Sequence, residues 1–338
     1  QGPFGGGLST PRWVAGVSNA GGLGSFGAHY LPPQGIAEIS TEIRALTEKP
    51  FALNLWVSDQ DDAFPRLTKA AFEARCRDYN DLFEKLQIQP PGWPADPGPR
   101  FETQVEAVLR ARPRVFSFVF GIPSRSILDE CRKQQIITLG AATTIEEALA
   151  VEAAGVDMVV VSGFEAGGHR PSFIARPEDS LNGTLALVPA VRDAVRIPVV
   201  AAGGLGDRRG VRAALTLGAD AVQLGTAFLA CEESGAHPIH REAILNNPLG
   251  HTTLSRAYTG RLARFIPNAF TRRFEDAEQG ALPFPAQHWL AGPIKAAAAE
   301  QGNSDYLSMY SGQAAPILKH SSVTSLMEHL IQEFQRPV

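Results

Sequence analysis

The chain has 338 residues, 44% hydrophobic and 20% charged, enough for a sizeable core without disulfide or metal staples, and its composition excludes a largely disordered polymer. Its 31 basic and 35 acidic residues give a net charge of -4, so the basic excess of a dedicated nucleic-acid binder is missing. The three cysteines Cys76, Cys131 and Cys231 show no paired spacing, and no apolar run reaches the roughly 18 residues of a membrane span. No disulfide framework, metal site or membrane partner is expected, and a reducing cytoplasm is the expected compartment.

In chain order, a first strand is counted as ending at Gln1-Gly2-Pro3, with most of it missing. A helix follows at 11–19, with Thr10 as N-cap and Pro11 in the first turn. A weak strand at 22–27 leads to a helix at 35–48. Strong strands at 51–57, 115–121, 136–141, 157–163, 198–203 and 220–226 are near-continuous apolar runs, as in a parallel sheet buried on both faces. Helical patterns at 102–111, 123–133, 144–154, 185–196 and 207–217 separate them. Thr143 and Thr144 precede Glu146 and Glu147 at capping-box spacing, and Gly155 and Gly218 end helices just ahead of buried strands. These β-α units predict an α/β fold, a (β/α)8 TIM barrel over 1–228. A doubly wound sheet is the alternative, since strand order is not visible in a sequence. Residues 58–101 form an insertion after the third strand, closing in an irregular proline-rich loop at 89–99. The segment 229–338 predicts a mostly helical extension over the barrel mouth, with helices at 296–299 and 322–334, the last packing back on the barrel.

Three glycine-rich stretches carry the chemical signal. Gly22-Leu-Gly24-Ser-Phe-Gly27 satisfies GxGxxG, but a helix precedes it and His29-Tyr30-Leu-Pro-Pro follows, so the strand-then-helix context of a dinucleotide site fails. Close packing at the second barrel strand is the plainer reading. Gly163-Phe-Glu-Ala-Gly167-Gly168-His169 lies just past the sixth strand, on the face where barrels place catalysis. His169 there is either an acid/base or a loop histidine that only caps a helix. Ala202-Gly203-Gly204-Leu-Gly206 and Gln223-Leu224-Gly225-Thr226 end the last two strands, where barrels most often bind phosphate through backbone N–H groups. The alternative is that these glycines serve only tight turns. The absence of GxxxxGK[ST] argues against a nucleoside triphosphate.

These residues together resemble the nitronate monooxygenase family. The resemblance rests on Gln1-Gly-Pro-Phe-Gly-Gly, Ser9-Thr-Pro11, Val17-Ser-Asn-Ala-Gly-Gly-Leu-Gly24, Leu46-Thr-Glu-Lys-Pro-Phe-Ala-Leu-Asn54, Glu165-Ala-Gly-Gly-His169, Ala202-Gly-Gly204 and Gln223-Leu-Gly-Thr226. It implies an FMN enzyme that oxidises alkyl nitronates of the propionate 3-nitronate type with O2, giving a carbonyl compound and nitrite, and nitroalkanes as a second substrate type. It implies His169 as catalytic base, and cofactor contacts from Pro3, Phe4, Gly5, Asn54, Ser162, Gly167, Gly168, Gly203, Gly204, Gln223, Leu224, Gly225 and Thr226. Two positions depart from the family: Ser162 stands where many relatives have glutamine, and Phe4 replaces methionine beside the flavin ring. Tyr306 and Tyr310, at helical i, i+4 spacing, are candidates for the substrate side or a packing pair on one helix face; Tyr258 is a further phenol nearby. Arg170, Arg256, Arg261 and Lys319 are candidates to meet a substrate carboxylate. His237-Pro-Ile-His240 lacks a carboxylate-bearing zinc motif. The expected assembly is a monomer or homodimer. The rival readings are an enoyl-acyl-carrier-protein reductase or NADH:quinone reductase of the same superfamily, a non-flavin phosphate-binding barrel, and a flavin carrier without activity.

Overall fold

The computed structural model describes residues 1–96, 98–274 and 280–334. Among them, seven parallel strands form one curled sheet in the order β1 (Gly24–Gly27), β2 (Phe51–Trp56), β3 (Val115–Val119), β4 (Ile137–Ala142), β5 (Met158–Ser162), β7 (Val199–Ala202) and β8 (Ala221–Gln223). This is a TIM-barrel-like α/β fold, with helices between the strands. Period-2 alternation divides each strand. Phe116, Phe118, Val159, Val161, Val199 and Ala201 pack outward under the helices, while Ala52, Val115, Leu139, Val160, Val200 and Ala202 fill the interior.

Residues 1–3, where the sequence reading ends a first strand, form no strand of their own and bridge the two edge strands. The Gly2 N–H donates to the Leu224 carbonyl at 2.8 Å, beside β8, and the Gln1 backbone nitrogen donates to Leu23 at 3.0 Å, beside β1. The Gln1 side-chain amide then copies a strand: Oε1 accepts from Ser25 N at 2.8 Å and Nε2 donates to Ser25 O at 2.9 Å. The two edge strands are therefore tied through two residues and one side chain.

The first helix starts at its predicted cap, Thr10 accepting from Trp13 N–H ahead of Pro11–Asn19. Asp207, expected inside its helix, is instead a cap, accepting from Arg209 and Gly210 N–H ahead of Arg208–Thr216. The expected capping box before Ile145–Ala153 is only half present. Thr144 does cap Glu147 N–H, but the buried Glu147 carboxylate turns away to accept from Thr143 N, Thr143 Oγ1, Phe173 N and Ile174 N. It anchors the loop after the candidate histidine, which a local capping rule does not foresee.

The insertion and the C-terminal region share a second apolar core. The insertion holds the helices Lys69–Arg77 and Asn80–Leu86, and Phe72, Tyr79, Phe83 and Leu86 pack with Tyr258, Phe265, Phe270, Leu290 and Ile294. The expected helices lie within Ala286–Glu300 and Val323–Phe334, the latter packed against Pro11–Asn19 and Arg208–Thr216. The expectation of mostly helical structure after 229 missed a small sheet. β9 (Thr253–Ser255) and β10 (Ala263–Phe265) form an antiparallel pair, and β10 pairs in turn with β6 (Gly168–His169). Their three-residue length gave no periodicity to read.

Candidate active site

The top interior layer of the barrel changes from apolar to polar. Asn54, Ser117, Ser162 and Gln223 occupy inward positions near the C-terminal strand ends, and Asn54 Nδ2 donates to Ser117 Oγ at 3.0 Å. Above them opens a cavity, walled by these side chains and by the loops that follow the strands.

One end of the cavity is backbone. Pro3, Phe4, Gly5, Gly167, Gly168, Gly203, Gly204, Gly225 and Thr226 line it together with Asn54, Ser162, Gln223 and His169. Gly203 and Gly204 hold φ of +104° and +69°, a conformation other residues rarely adopt, which turns successive peptide groups along the wall. The short helix Thr226–Leu229 starts there, and its first N–H groups have no intrahelical acceptor. A Cβ on Gly167 would lie 2.5 Å from Gly312 N, and one on Gly27 would lie 2.4 Å from the Phe4 carbonyl carbon. Glycine at 27 therefore serves close packing of the N-terminal segment, as the plainer reading of that motif holds. Leu224 does not line the cavity; its side chain is buried in the barrel wall, leaving its carbonyl to Gly2.

The other end is aromatic and basic. His169 is half-buried in the wall, edge-on to Trp56 at 4.9 Å and to Phe120 at 6.2 Å, with Tyr310 at 5.6 Å. β6 fixes its backbone by pairing with Ala263, and its Nε2 lies 2.9 Å from Thr259 Oγ1. Burial first, then the charges of Arg261 and Lys295, pull its pKa down to about 3, so the ring is neutral at pH 7. His29 stacks flat on Trp56 at 3.9 Å, and neither of its ring nitrogens has a protein partner. His288 stacks on Tyr30 at 4.7 Å, and Lys295 Nζ lies 3.4 Å from its Nδ1.

Tyr306 and Tyr310 do not share a helix face: the segment between them is turn and extended chain, so the i, i+4 reading fails. Tyr310 bridges to Phe265 and reaches the cavity, whereas Tyr306 packs in the second core and accepts from Lys85 Nζ at 2.9 Å. Tyr258 is fully buried, donating to Leu307 O at 2.9 Å. Of the proposed carboxylate partners, Arg170 is a buried strut between the Ser162 and Ser180 carbonyls, Arg256 pairs with Glu178, and Lys319 is exposed away from the cavity. Arg261 does approach the site, its guanidinium 4.3 Å above Phe120, but Asp61 and Ser58 take its donors. Sequence reading missed His29, Tyr30, Trp56, Phe120, Thr259, His288 and Lys295. Only the His29-Tyr30 pair, one residue beyond the strand-end Gly27, stands beside a sequence motif. Among the described residues no three His, Cys, Asp or Glu side chains group as a metal site, and no helix is long and apolar enough to cross a membrane.

This arrangement meets its relatives. The nitronate monooxygenase family model matches residues 1–333. The chain belongs to the nitronate monooxygenase family. A probable nitronate monooxygenase of Bacillus subtilis is 36% identical over 334 residues, covering 98% of this chain and 94% of the relative. One from Staphylococcus saprophyticus is 36% identical over 329 residues, covering 97% and 92%. The solved nitroalkane oxidase from Streptomyces ansochromogenes superposes with a TM-score of 0.89 at 36% identity, covering 98% of this chain and 94% of that one. FabK from Thermotoga maritima superposes with a TM-score of 0.73 at 27% identity, covering 98% and 92%. As a member of this family the chain is an oxidoreductase.

Proposed function

We propose that this enzyme holds FMN in the cavity and oxidises alkyl nitronates, and nitroalkanes through them, with O2 to a carbonyl compound and nitrite. The observation that carries the reading is the joining, in one cavity, of a glycine-built phosphate cradle with a neutral histidine at its aromatic end. The residues fit the cofactor. Two positive-φ glycines and a helix start offer backbone N–H groups where a phosphate would sit, and the polar layer of Asn54, Ser117, Ser162 and Gln223 offers partners for a heterocycle. Gly203, Gly204, Gln223, Gly225 and Thr226, with the Leu224 backbone, would hold the phosphate. Pro3, Phe4, Gly5, Asn54, Ser162, Gly167 and Gly168 would hold the ring. FMN, when bound, supplies the electron transfer between substrate and O2.

His169 does the proton work. Being neutral at pH 7, it can accept the acidic α-proton of a nitroalkane, and the nitronate formed beside it supplies the counter-charge for the resulting imidazolium. A substrate that arrives as the nitronate does not need this step. Trp56, Phe120 and Tyr310 pack around the ring and offer apolar surface to an alkyl chain.

The test is anaerobic absorbance of the purified protein with propionate 3-nitronate, NADH and NADPH in separate cuvettes. Loss of the flavin bands with the nitronate and not with the nucleotides supports the reading. Rapid bleaching by either nucleotide favours a reductase, and a colourless protein that takes up no FMN removes the flavin altogether.

A further inference from the structure

Thr259 sits in the turn between β9 and β10, and the turn is held from several sides. Gly260 N–H donates to Arg256 O at 2.8 Å, Ala257 N–H donates to Ser255 Oγ at 3.1 Å, and Ala257 O accepts from Gln287 Nε2 at 2.6 Å. A Cβ on Gly260 would come within 2.3 Å of Leu282 O, so this backbone cannot move outward. Thr259 itself is 1% exposed. Its Oγ1 lies 2.9 Å from His169 Nε2, and 3.3 Å from both the N–H and the carbonyl oxygen of Arg261.

A hydroxyl has one proton to donate and two lone pairs to accept with. Arg261 N–H takes one lone pair. Two arrangements remain. If the hydroxyl donates to His169 Nε2, its second lone pair is idle and the buried Arg261 carbonyl loses this donor. If it donates to the Arg261 carbonyl, its second lone pair accepts the Nε2–H of His169, and donor, carbonyl and ring are all satisfied. An unpaired buried polar group costs about 1–3 kcal/mol, so the second arrangement wins. It places the ring proton on Nε2 and leaves Nδ1, which has no protein partner, as the bare nitrogen.

We infer that Thr259 is the positioning residue that fixes His169 in the Nε2–H tautomer and so makes Nδ1 the atom that accepts the substrate proton. The inference rests on the reading of His169 as the base. The same hydroxyl bond survives protonation, because the imidazolium still donates from Nε2. The ring can therefore gain and lose a proton at Nδ1 without rearranging its anchor.

The experiment has two arms. In the first, long-range nitrogen-15 correlation spectra are recorded on the purified, histidine-labelled protein, with His169 assigned by its disappearance in His169→Asn. A single species with Nε2 protonated and Nδ1 bare is expected. A wild-type ring protonated on Nδ1 overturns the inference, whatever the enzyme's activity. In the second arm, Thr259→Val and Thr259→Ser are compared on a neutral nitroalkane and on the preformed nitronate. Thr259→Val should show a mixture of tautomers and lose about tenfold to hundredfold in kcat/KM on the nitroalkane, with a change under about threefold on the nitronate. Thr259→Ser should keep the wild-type spectrum and most of the rate. An unchanged tautomer and rate in Thr259→Val overturns the inference. If Thr259→Val does not fold, the wild-type spectrum and Thr259→Ser decide. Failure of the base reading itself looks different: His169→Asn would then turn over nitroalkane normally while the tautomer stays as inferred.

Discussion

The two ends of the cavity are made of different material. At the glycine end the wall is backbone, drawn from short stretches that each lie at the end of one strand: Gly167-Gly168, Gly203-Gly204 and Gly225-Thr226. At the aromatic end the wall is side chain, drawn from Tyr30, Trp56, Phe120, His169 and Tyr310, with Phe284 and His288 behind them. A backbone wall recognises a feature common to all ligands of one class, such as a phosphate, and tolerates little change. A side-chain wall sets which substrate enters and how protons move, and single residues can vary within it.

At the glycine end the expected effect falls on the cofactor itself. Gly204 has a φ of +69°, and a Cβ there would sit 3.2 Å from Glu165 Cβ. Glu165 cannot step aside easily, because its carboxylate accepts from Thr184 N at 2.9 and 3.0 Å and from Thr184 Oγ1 at 2.9 Å. Gly204→Val should lose bound FMN, with affinity falling about tenfold or more, equivalent to about 1.4 kcal/mol. The measurement is flavin absorbance per protein after dialysis against graded FMN. Full occupancy would mean that this turn does not carry the phosphate.

At the aromatic end, His169→Asn should keep the flavin and lose chemistry. Turnover of a neutral nitroalkane should fall about 10²–10⁴-fold, while turnover of the preformed nitronate falls by less than about tenfold. Equal losses on both substrates would show that the ring contributes to binding or to cofactor placement rather than to proton removal. The low pKa sharpens this test. Since the ring stays neutral down to about 3, acidifying from pH 8 to pH 5 should not shut off nitroalkane turnover through His169.

The two ends also differ in how much of them the sequence revealed. Glycines clustered after buried strands are a local signal, and the barrel rhythm places them all on one face. That is why Gly167, Gly203, Gly204 and Gly225 are legible in the sequence. His169 was readable because it follows such a cluster. Trp56 and Phe120 sit in apolar strand ends that look like core, and nothing local marks them as turning to a cavity. Thr259, His288 and Lys295 arrive from the region after residue 229, where three-residue strands leave no period and the approach to the barrel depends on tertiary packing. Leu224 shows what a motif leaves out: it was named with its neighbours, yet its side chain packs into the core away from the cavity, leaving only its backbone beside that wall.

A third effect connects the aromatic end to stability. His240, 1% exposed, contacts the Tyr310 carbonyl from its Nε2 at 2.7 Å, and burial pulls its pKa down to about 4. Its folded pKa lies below the unfolded value of 6.5, so acid favours the unfolded chain, which binds the proton first. Stability from this group is complete above pH 6.5 and is lost as pH falls toward 4. Urea unfolding at pH 7 and at pH 4.5 should differ by roughly 2 kcal/mol through His240 alone. His240→Gln should flatten that dependence, and an unchanged slope would place the acid sensitivity in other buried histidines such as His288.

The smallest effect separates the two tyrosines that the sequence paired. Tyr306 lies in the second core with its hydroxyl facing Lys85, so Tyr306→Phe removes one hydrogen bond far from the cavity. Its turnover should stay within about twofold of wild type and its stability within about 1 kcal/mol. Tyr310 lies on the cavity wall, its ring stacked on Phe265 at 4.7 Å, and burial raises its pKa to about 12, so at neutral pH it is a neutral phenol that could donate a hydrogen bond to a bound anion. Tyr310→Phe should therefore raise KM for the nitronate about threefold to tenfold, the loss of one hydrogen bond to an anion, with kcat nearly unchanged. A drop in kcat with KM unchanged would instead assign the phenol to the transition state, which would make the aromatic end a second source of electrostatic stabilisation beside His169.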